Sequence, residues 1–263
     1  MKPAPFLYER PDTLEEAASL LAEHGDDAKV LAGGQSLVPL LNFRLVRPSV
    51  LVDINGIAEL GTRDDGRVGA TVRQRDFTGN RLVDLAMPYV GHYVTRNRGT
   101  VGGSLAHADA GAELPLCLVV LGGEVRTSKG RRLAAEELFI SHYTTALAAD
   151  ELLVEATWPE GDAVGFEEVA LRHGDFALSM CACSLQLESG EIRSARVGVG
   201  AVVERPLLLE LGLEGAPATA ETARQAGERA AALVDPPGHL HASAAYLKHL
   251  TSVVVTRALE QAL

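Results

Sequence analysis

Two short segments carry residue types that can hold an anion. The first is Ala32-Gly33-Gly34-Gln35-Ser36-Leu37. The second is Arg96-Asn97-Arg98-Gly99-Thr100-Val101-Gly102-Gly103-Ser104-Leu105-Ala106-His107-Ala108. Each sets adjacent glycines beside a hydroxyl residue. Glycine permits positive φ and lets backbone N–H groups come close to a ligand. Successive N–H groups in such turns form an anion nest, and a following helix adds its N-terminal partial charge. Two such loops could grip a pyrophosphate from opposite sides. Neither fits G-x-x-x-x-G-K-[ST] or G-x-G-x-x-G, which argues against a P-loop nucleotidase and against a Rossmann site. The residues alone lead to a dinucleotide-like anion between two non-Rossmann loops.

Other chemistry-bearing residues read more plainly. The three cysteines, Cys117, Cys181 and Cys183, are too few for a four-thiolate zinc or iron–sulfur site. Cys181 and Cys183 stand two apart in the apolar run Leu178–Leu185 and read as core on one face of a strand. Redox chemistry in this chain therefore needs a non-metal cofactor or a metal on a partner. His239 and His241 have metal-like spacing but no further ligands nearby, so they read as the approach to the last helix. His107 reads as a hydrogen-bonding loop residue rather than a covalent anchor. Arg96 and Arg98 face phosphate, face a partner or lie in solvent; the sequence leaves the three open. Arg172 and Asp175 read as an internal pair.

The elements that position these residues follow from pattern. Thr13 with Glu16 makes a capping box for a helix carrying Leu14, Ala17, Ala18 and Leu21 and ended by Gly25. Strands are expected at Lys29–Ala32 and Val50–Ile54, with a helix between them that has Pro39 near its first turn. Asp64-Asp65-Gly66 reads as a hairpin turn into a strand at Val68–Val72, followed by a helical region over Arg81–Val94. The second glycine segment reads as a loop. Apolar Leu114–Leu121 leads into a strand at Glu124–Thr127, turned by Lys129-Gly130, and Leu152–Trp158 is a strand stopped by Pro159. Beyond it, Phe166–Arg172, Leu178–Leu187 and Ile192–Val202 read as consecutive strands, with a hairpin turn at Glu188–Glu191. Two helices, Thr219–Val234 and Ala242–Leu263, are separated by Asp235-Pro236-Pro237-Gly238. Strands followed by helices suggest an α+β module of its own.

The 263 residues are enough for one large domain or two modest ones. Apolar residues make up 47% and charged residues 22%, ordinary globular usage that excludes disorder as the main state. With 24 basic against 35 acidic residues the net charge is −11, a poor match for a nucleic-acid backbone or an anionic membrane. No membrane span or signal peptide is apparent, and a cytoplasmic protein is expected.

These motifs resemble a known family, the FAD-binding medium subunits of the molybdenum hydroxylases, of the carbon monoxide dehydrogenase and xanthine dehydrogenase type. Ala32–Pro39 with Arg44 and Val50–Ile54 resembles the family's first flavin motif, and Arg96–Ala108 with Glu113-Leu114-Pro115 its second. The likeness continues through Thr144–Leu147, Asp150–Leu153 and Gly174–Ala177 to Asp235-Pro236-Pro237 and His241–Tyr246, essentially the whole chain. It implies an α+β fold: a vanillyl-alcohol-oxidase-type FAD-binding domain over 1–160, in two α/β subdomains at about 1–56 and 57–160, and a C-terminal three-stranded antiparallel sheet with helices over 161–263. It implies non-covalent FAD, its pyrophosphate wrapped by Ala32, Gly33, Gly34, Gln35, Ser36 and Leu37 and by Thr100, Val101, Gly102, Gly103 and Ser104. Ala108 belongs to the same set, Glu113 meets the ribityl or adjoining part, and Leu152 or Leu153 supplies an apolar contact. Phe176 takes the position beside the isoalloxazine ring, or else is plain core.

The function implied is electron transfer from [2Fe–2S] clusters on a small partner, through FAD, to an acceptor, with molybdopterin on a large partner. No metal ligand is expected on this chain, and the sequence singles out no catalytic acid or base. The alternative is a stand-alone FAD oxidoreductase acting on a small molecule. The chain departs from the family pattern at Asp109-Ala110-Gly111-Ala112, at Tyr93 and Thr95, and at Glu167, where some members carry a lysine near the flavin.

Overall fold

The structure, a computed structural model, describes residues 2–64 and 66–263; Asp65, the middle of the expected hairpin turn, lies outside the described residues. The chain opens with β1 (Leu7–Glu9), α1 (Leu14–His24), β2 (Ala28–Leu31), α2 (Leu37–Asn42) and β3 (Val50–Asp53). At the start of α1 the Thr13 hydroxyl accepts the Glu16 N–H at 3.2 Å and the Glu16 carboxylate accepts the Asp12 N–H at 2.9 Å. Gly25 ends the helix with φ at +52°. β1 and β2 flank β3 and both run parallel to it. The first glycine loop therefore leaves the carboxyl end of a parallel strand, where open α/β sheets place their ligands.

The middle of the chain adds β4 (Arg63–Asp64), β5 (Arg67–Gly69), α3 (Arg81–Ala86), α4 (Tyr93–Arg98), α5 (Val101–His107), α6 (Glu113–Leu121), β6 (Glu124–Thr127) and β7 (Arg132–Ala134). It continues through α7 (Ala135–Leu138), β8 (Phe139–Ser141), β9 (Thr144–Thr145) and β10 (Leu153–Thr157). An antiparallel sheet of order β4-β5-β10-β6-β7 results, with β8 and β9 paired apart from it. Every residue of α6 is buried. A helix apolar on all sides belongs at the centre of a layered fold, and α6 runs between this sheet and the next.

The last third forms β11 (Ala163–Ala170), β12 (Ala177–Glu188), β13 (Glu191–Gly200), the short β14 (Leu207–Leu208), α8 (Ala220–Leu233) and α9 (Ala244–Ala262). The four strands pair antiparallel in chain order. Ser189 and Gly190, both at positive φ, make the two-residue turn between β12 and β13. Alternation in these strands divides two cores. Val164, Phe166, Met180 and Ala182 face α6, whereas Cys181, Cys183 and Leu185 face α9. All three cysteines are free and buried.

Two local expectations change. The helical region over 81–94 is two helices, interrupted where Pro88 lacks a donor and Gly91 takes φ +49°. The second glycine segment is helical from Val101 onward rather than a loop. β1 and β14 were not legible, being three and two residues long. Among the described residues no helix is long and apolar enough to cross a membrane.

Candidate functional site

A cleft of about 720 Å³ opens between the first parallel sheet, the α4–α5 segment and the Gly174–Phe176 turn. All six residues Ala32 to Leu37 line it, as do Thr100, Gly102, Gly103 and Ser104 on the facing wall. Glu113, Leu152, Leu153 and Phe176 complete the expected set that reaches it. Val101 and Ala108 do not. Val101 is fully buried among core residues. Ala108 closes α5 in the left-handed conformation, with φ +52° and its side chain buried.

The two glycine segments are not equivalent. In the first, Gly34 takes φ +72°, and the N–H groups of Gly33, Gly34, Gln35, Ser36 and Leu37 meet no acceptor among the described residues; Val38 is the first to close, on Gly34 O at 2.9 Å. This is a run of free donors lining the cleft. In the second segment the donors from Val101 to Ser104 are spent. Val101 N–H bonds Val72 O at 2.9 Å and Gly102 N–H bonds Ala70 O at 3.0 Å. Gly103 N–H bonds the Thr100 hydroxyl at 3.0 Å. The run of free donors expected in both loops is therefore confined to the first, because from Val101 onward the second uses its N–H groups to seat α5 on Ala70 and Val72, just past β5.

Close approach explains the glycines that lack positive φ. A Cβ on Gly33 would lie 2.5 Å from Arg98 O and 2.8 Å from Gly99 Cα, so the two segments touch backbone to backbone. A Cβ on Gly102 would lie 2.5 Å from the Ala70 Cβ, and one on Gly103 2.6 Å from the Thr100 hydroxyl. Behind this contact runs a polar chain that the sequence did not announce. Asn55 Nδ2 donates to Ala32 O at 2.8 Å, and Arg73 donates from Nη2 to Asn55 Oδ1 at 2.7 Å and from Nη1 to Arg98 O at 2.6 Å. Asp53 accepts from Tyr8 and from the Asn55 N–H; burial would raise its carboxyl, but these hydrogen bonds outweigh burial and hold it below the usual range.

The far wall is acidic and aromatic. Glu113 is 7% exposed at the start of α6, and burial, with the nearby Asp109 adding to it, pushes its carboxyl up to about 7. Asp109 Oδ1 accepts the Gly111 N–H at 2.9 Å and Oδ2 accepts the Tyr143 hydroxyl at 3.1 Å. The Tyr143 ring stacks on His142 at 3.9 Å and lies 4.8 Å from His107, which burial holds below its ordinary value. The Asp150–Leu153 segment is fixed by Glu151, which accepts from Thr127 at 2.5 Å, Arg131 at 2.8 Å and the Ala148 N–H at 3.0 Å.

The remaining candidates are placed as follows. Phe176 is 69% exposed at the rim, packed against Gly111, so it is not core. Arg96 donates to Val90 O and Gly91 O at 2.9 and 3.0 Å and serves the α3–α4 connection. Arg172 and Asp175 meet only through backbone, Asp175 N–H to Arg172 O at 3.1 Å, and form no ion pair among the described residues. Glu167 faces away from the cleft, paired with Arg257 at 3.0 Å. His239 and His241 have rings 6.1 Å apart, and no metal-binding group is present among the described residues.

Comparison with known proteins matches both parts of this fold. Residues 4–161 match the family model for the FAD binding domain in molybdopterin dehydrogenase, and residues 165–262 match that for the CO dehydrogenase flavoprotein C-terminal domain. The 6-hydroxypseudooxynicotine dehydrogenase complex subunit alpha of Paenarthrobacter nicotinovorans is 38% identical over all of this chain and 96% of its own length. The carbon monoxide dehydrogenase medium chain of Hydrogenophaga pseudoflava is 31% identical over all of this chain and 98% of its own. A chain of quinoline 2-oxidoreductase from Pseudomonas putida 86 superposes with a TM-score of 0.92 at 38% identity, covering 100% of this chain and 98% of that one. With both halves of a flavoprotein architecture matched and full-length relatives above 30% identity, the chain belongs to the FAD-binding medium subunits of the molybdenum hydroxylases, a family of oxidoreductase subunits.

Proposed function

We propose that the cleft holds FAD non-covalently and that the chain is an electron-transfer subunit. It takes electrons from a [2Fe–2S] cluster on a small partner and hands them to an acceptor, while a large molybdopterin-bearing partner hydroxylates the substrate. The observation that carries this reading is the run of free donors from Gly33 to Leu37, held at fixed depth by backbone contact with Arg98 and Gly99. A pyrophosphate satisfies such donors without a basic side chain.

The residues present fit the rest of the ligand. Glu113 presents a carboxyl to the polyol, Leu152 and Leu153 give an apolar wall for a planar ring, and Phe176 offers an exposed ring at the rim. In this assignment Ala32 to Leu37 grip the pyrophosphate, whereas Thr100, Gly102, Gly103 and Ser104 shape the opposing wall. Val101 and Ala108 act by fixing α5. Flavin supplies the chemistry that no side chain here provides, accepting electrons singly or in pairs. The protein's contribution is to bind, orient and shield it. We also propose the domain division at about 160, where Pro159 ends the strand that closes the second sheet, with subdomains at 1–56 and 57–160. The chain is placed in the cytoplasm. Relatives named as complex subunits and medium chains support the partner reading.

The test is co-purification from the native host with spectra and metal analysis. Flavin bands with iron, molybdenum and two further polypeptides are expected. Flavin on the lone chain favours the stand-alone oxidoreductase. A colourless chain that FAD cannot reconstitute overturns the assignment.

A further inference from the structure

The exit of α2 is an exposed apolar corner built on a strained residue. The helix ends in a doubly bonded cap: Leu45 N–H donates to Leu40 O at 2.9 Å and Arg44 N–H to Leu41 O at 3.0 Å. Such a cap sets the residue between them in the left-handed region, and Arg44 stands there with φ +57°. Glycine is the usual residue at that place, because a side chain costs energy in this conformation. The apolar residue that follows normally folds back on the helix, yet Leu45 is 71% exposed, and Phe43 on the other side of Arg44 is 66% exposed. None of the three lines the cleft, although Arg44 belongs to the first motif, so what the cleft binds does not account for them. Strain held at a surface corner points to a use outside the fold itself.

The surroundings are cationic in an acidic chain. Acidic residues number 35 in 263, yet none lies between Asp27 and Asp53 or between Asp84 and Asp109. These two acid-free segments meet where Gly33 touches Arg98. Nε of Arg44 donates to Lys2 O at 3.2 Å and Nε of Arg47 to Arg44 O at 3.3 Å. Arg44, Arg47 and Arg98 are exposed and form no ion pair among the described residues. An exposed apolar patch flanked by arginines has the composition of a protein contact, and its charge selects the partner. In a [2Fe–2S] cluster held by four thiolates, the sulfurs carry more negative charge than the irons carry positive, oxidised or reduced, so a face that presents one is anionic.

We propose that the α2 exit is the docking surface for the cluster-bearing small subunit, with Phe43 and Leu45 as apolar anchors and Arg44, Arg47 and Arg98 meeting an anionic face. This rests on the function proposed above and says where that partner sits. α2 spans six residues, about 9 Å, and begins at Leu37, where the run of free donors ends. A partner seated at its exit is one short helix from the cleft.

The experiment titrates the small subunit, clusters in place, against the full chain at several salt concentrations, beside FAD affinity and melting temperature. Arg44→Gly removes the guanidinium and relieves the left-handed residue. Arg44→Glu with Arg47→Glu reverses the charge. Arg44→Gly should melt at or above the parent's temperature, bind FAD as the parent does, and bind the small subunit about tenfold more weakly. The double variant should bind it more weakly still, and the loss of binding with added salt seen in the parent should disappear. Unchanged small-subunit binding in both variants overturns the proposal. So does weaker binding that comes with a lower melting temperature in Arg44→Gly, which marks a structural arginine. Variants that change instead the chain's own oligomeric state, or its binding to the large subunit, assign the surface to that occupant and overturn it too. A parent that takes up no FAD, while these substitutions still weaken small-subunit binding, overturns the reading of the cleft alone.

Discussion

Arg73 Nη2 and Asn55 Oδ1 are 2.7 Å apart, and this bond joins the two loops of the cleft from behind. Asn55 reaches Ala32 O on one side and Arg73 reaches Arg98 O on the other, at 2.8 and 2.6 Å. Both carbonyls belong to backbone at the touching point of the loops, where Gly33 meets Arg98. Only a planar fork can serve two acceptors that diverge in this way.

From that follows a prediction about paired loss. Asn55→Ala and Arg73→Lys should each weaken FAD binding by about tenfold, since each leaves one loop unanchored and a charge-assisted bond is worth about 1.5–3 kcal/mol. Lysine keeps the charge but reaches one acceptor at most. Because the two residues act as one bridge, the double variant should lose little more than either single one. Fluorescence titration of the three proteins checks this, and additive losses would show that the two residues work separately.

The glycines separate into two kinds, which stability and affinity together can tell apart. At Gly33 an added methyl meets the carbonyl of the other loop. Gly33→Ala should therefore spread the loops and cut FAD affinity while leaving the melting temperature of the free chain close to the parent's. At Gly102 the methyl meets Ala70 inside the core, where overpacking costs about 1–3 kcal/mol. Gly102→Ala should lower the melting temperature by several degrees first and affinity as a consequence. The reverse order in a side-by-side melt and titration would contradict the packing account.

How much of this was legible in the sequence depends on distance along the chain. The α1 cap at Thr13, the turn at Gly190 and the face alternation that buries Cys181 and Cys183 are local patterns, and they read correctly. The glycine segments stood out for the same reason, and the fold brings both to one cleft. Their asymmetry was not, because Val101 and Gly102 spend their donors on Val72 and Ala70, a pairing about thirty residues distant that no local pattern encodes. Asn55 and Arg73 escaped notice likewise: each is an ordinary polar residue until the fold sets Asn55 against Ala32 O and Arg73 against Arg98 O. Leu114–Leu121 could not be assigned a period, since a helix buried on every side shows none.

A last prediction concerns pH and the two buried glutamates. Glu168 shares the α6-facing side of β11 with Val164 and Phe166, is 8% exposed, and has an oxygen without a partner. Burial, and then the charge of Glu113, push its carboxyl up to about 8. Neither glutamate has a cation in an ion pair among the described residues. The folded chain therefore holds both protons at pH values where the unfolded chain, titrating at about 4.5, has released them. Their contribution is complete below about 4.5 and is lost as pH rises toward 7 and 8, at up to about 1.4 kcal/mol per pH unit for each group. His107, held low by burial, opposes this weakly near its ordinary value. Asp53 and Glu155, held low by hydrogen bonds, act only in the acid range. The melting temperature of the nucleotide-free chain should thus fall between pH 5 and pH 8. Glu168→Gln removes one of the two protons from the balance while keeping the shape, so its curve should be flatter, crossing that of the parent to lie above it at pH 8. Parallel curves across that range would mean that Glu168 is ionised in the folded chain and that a water or a cation reaches its free oxygen.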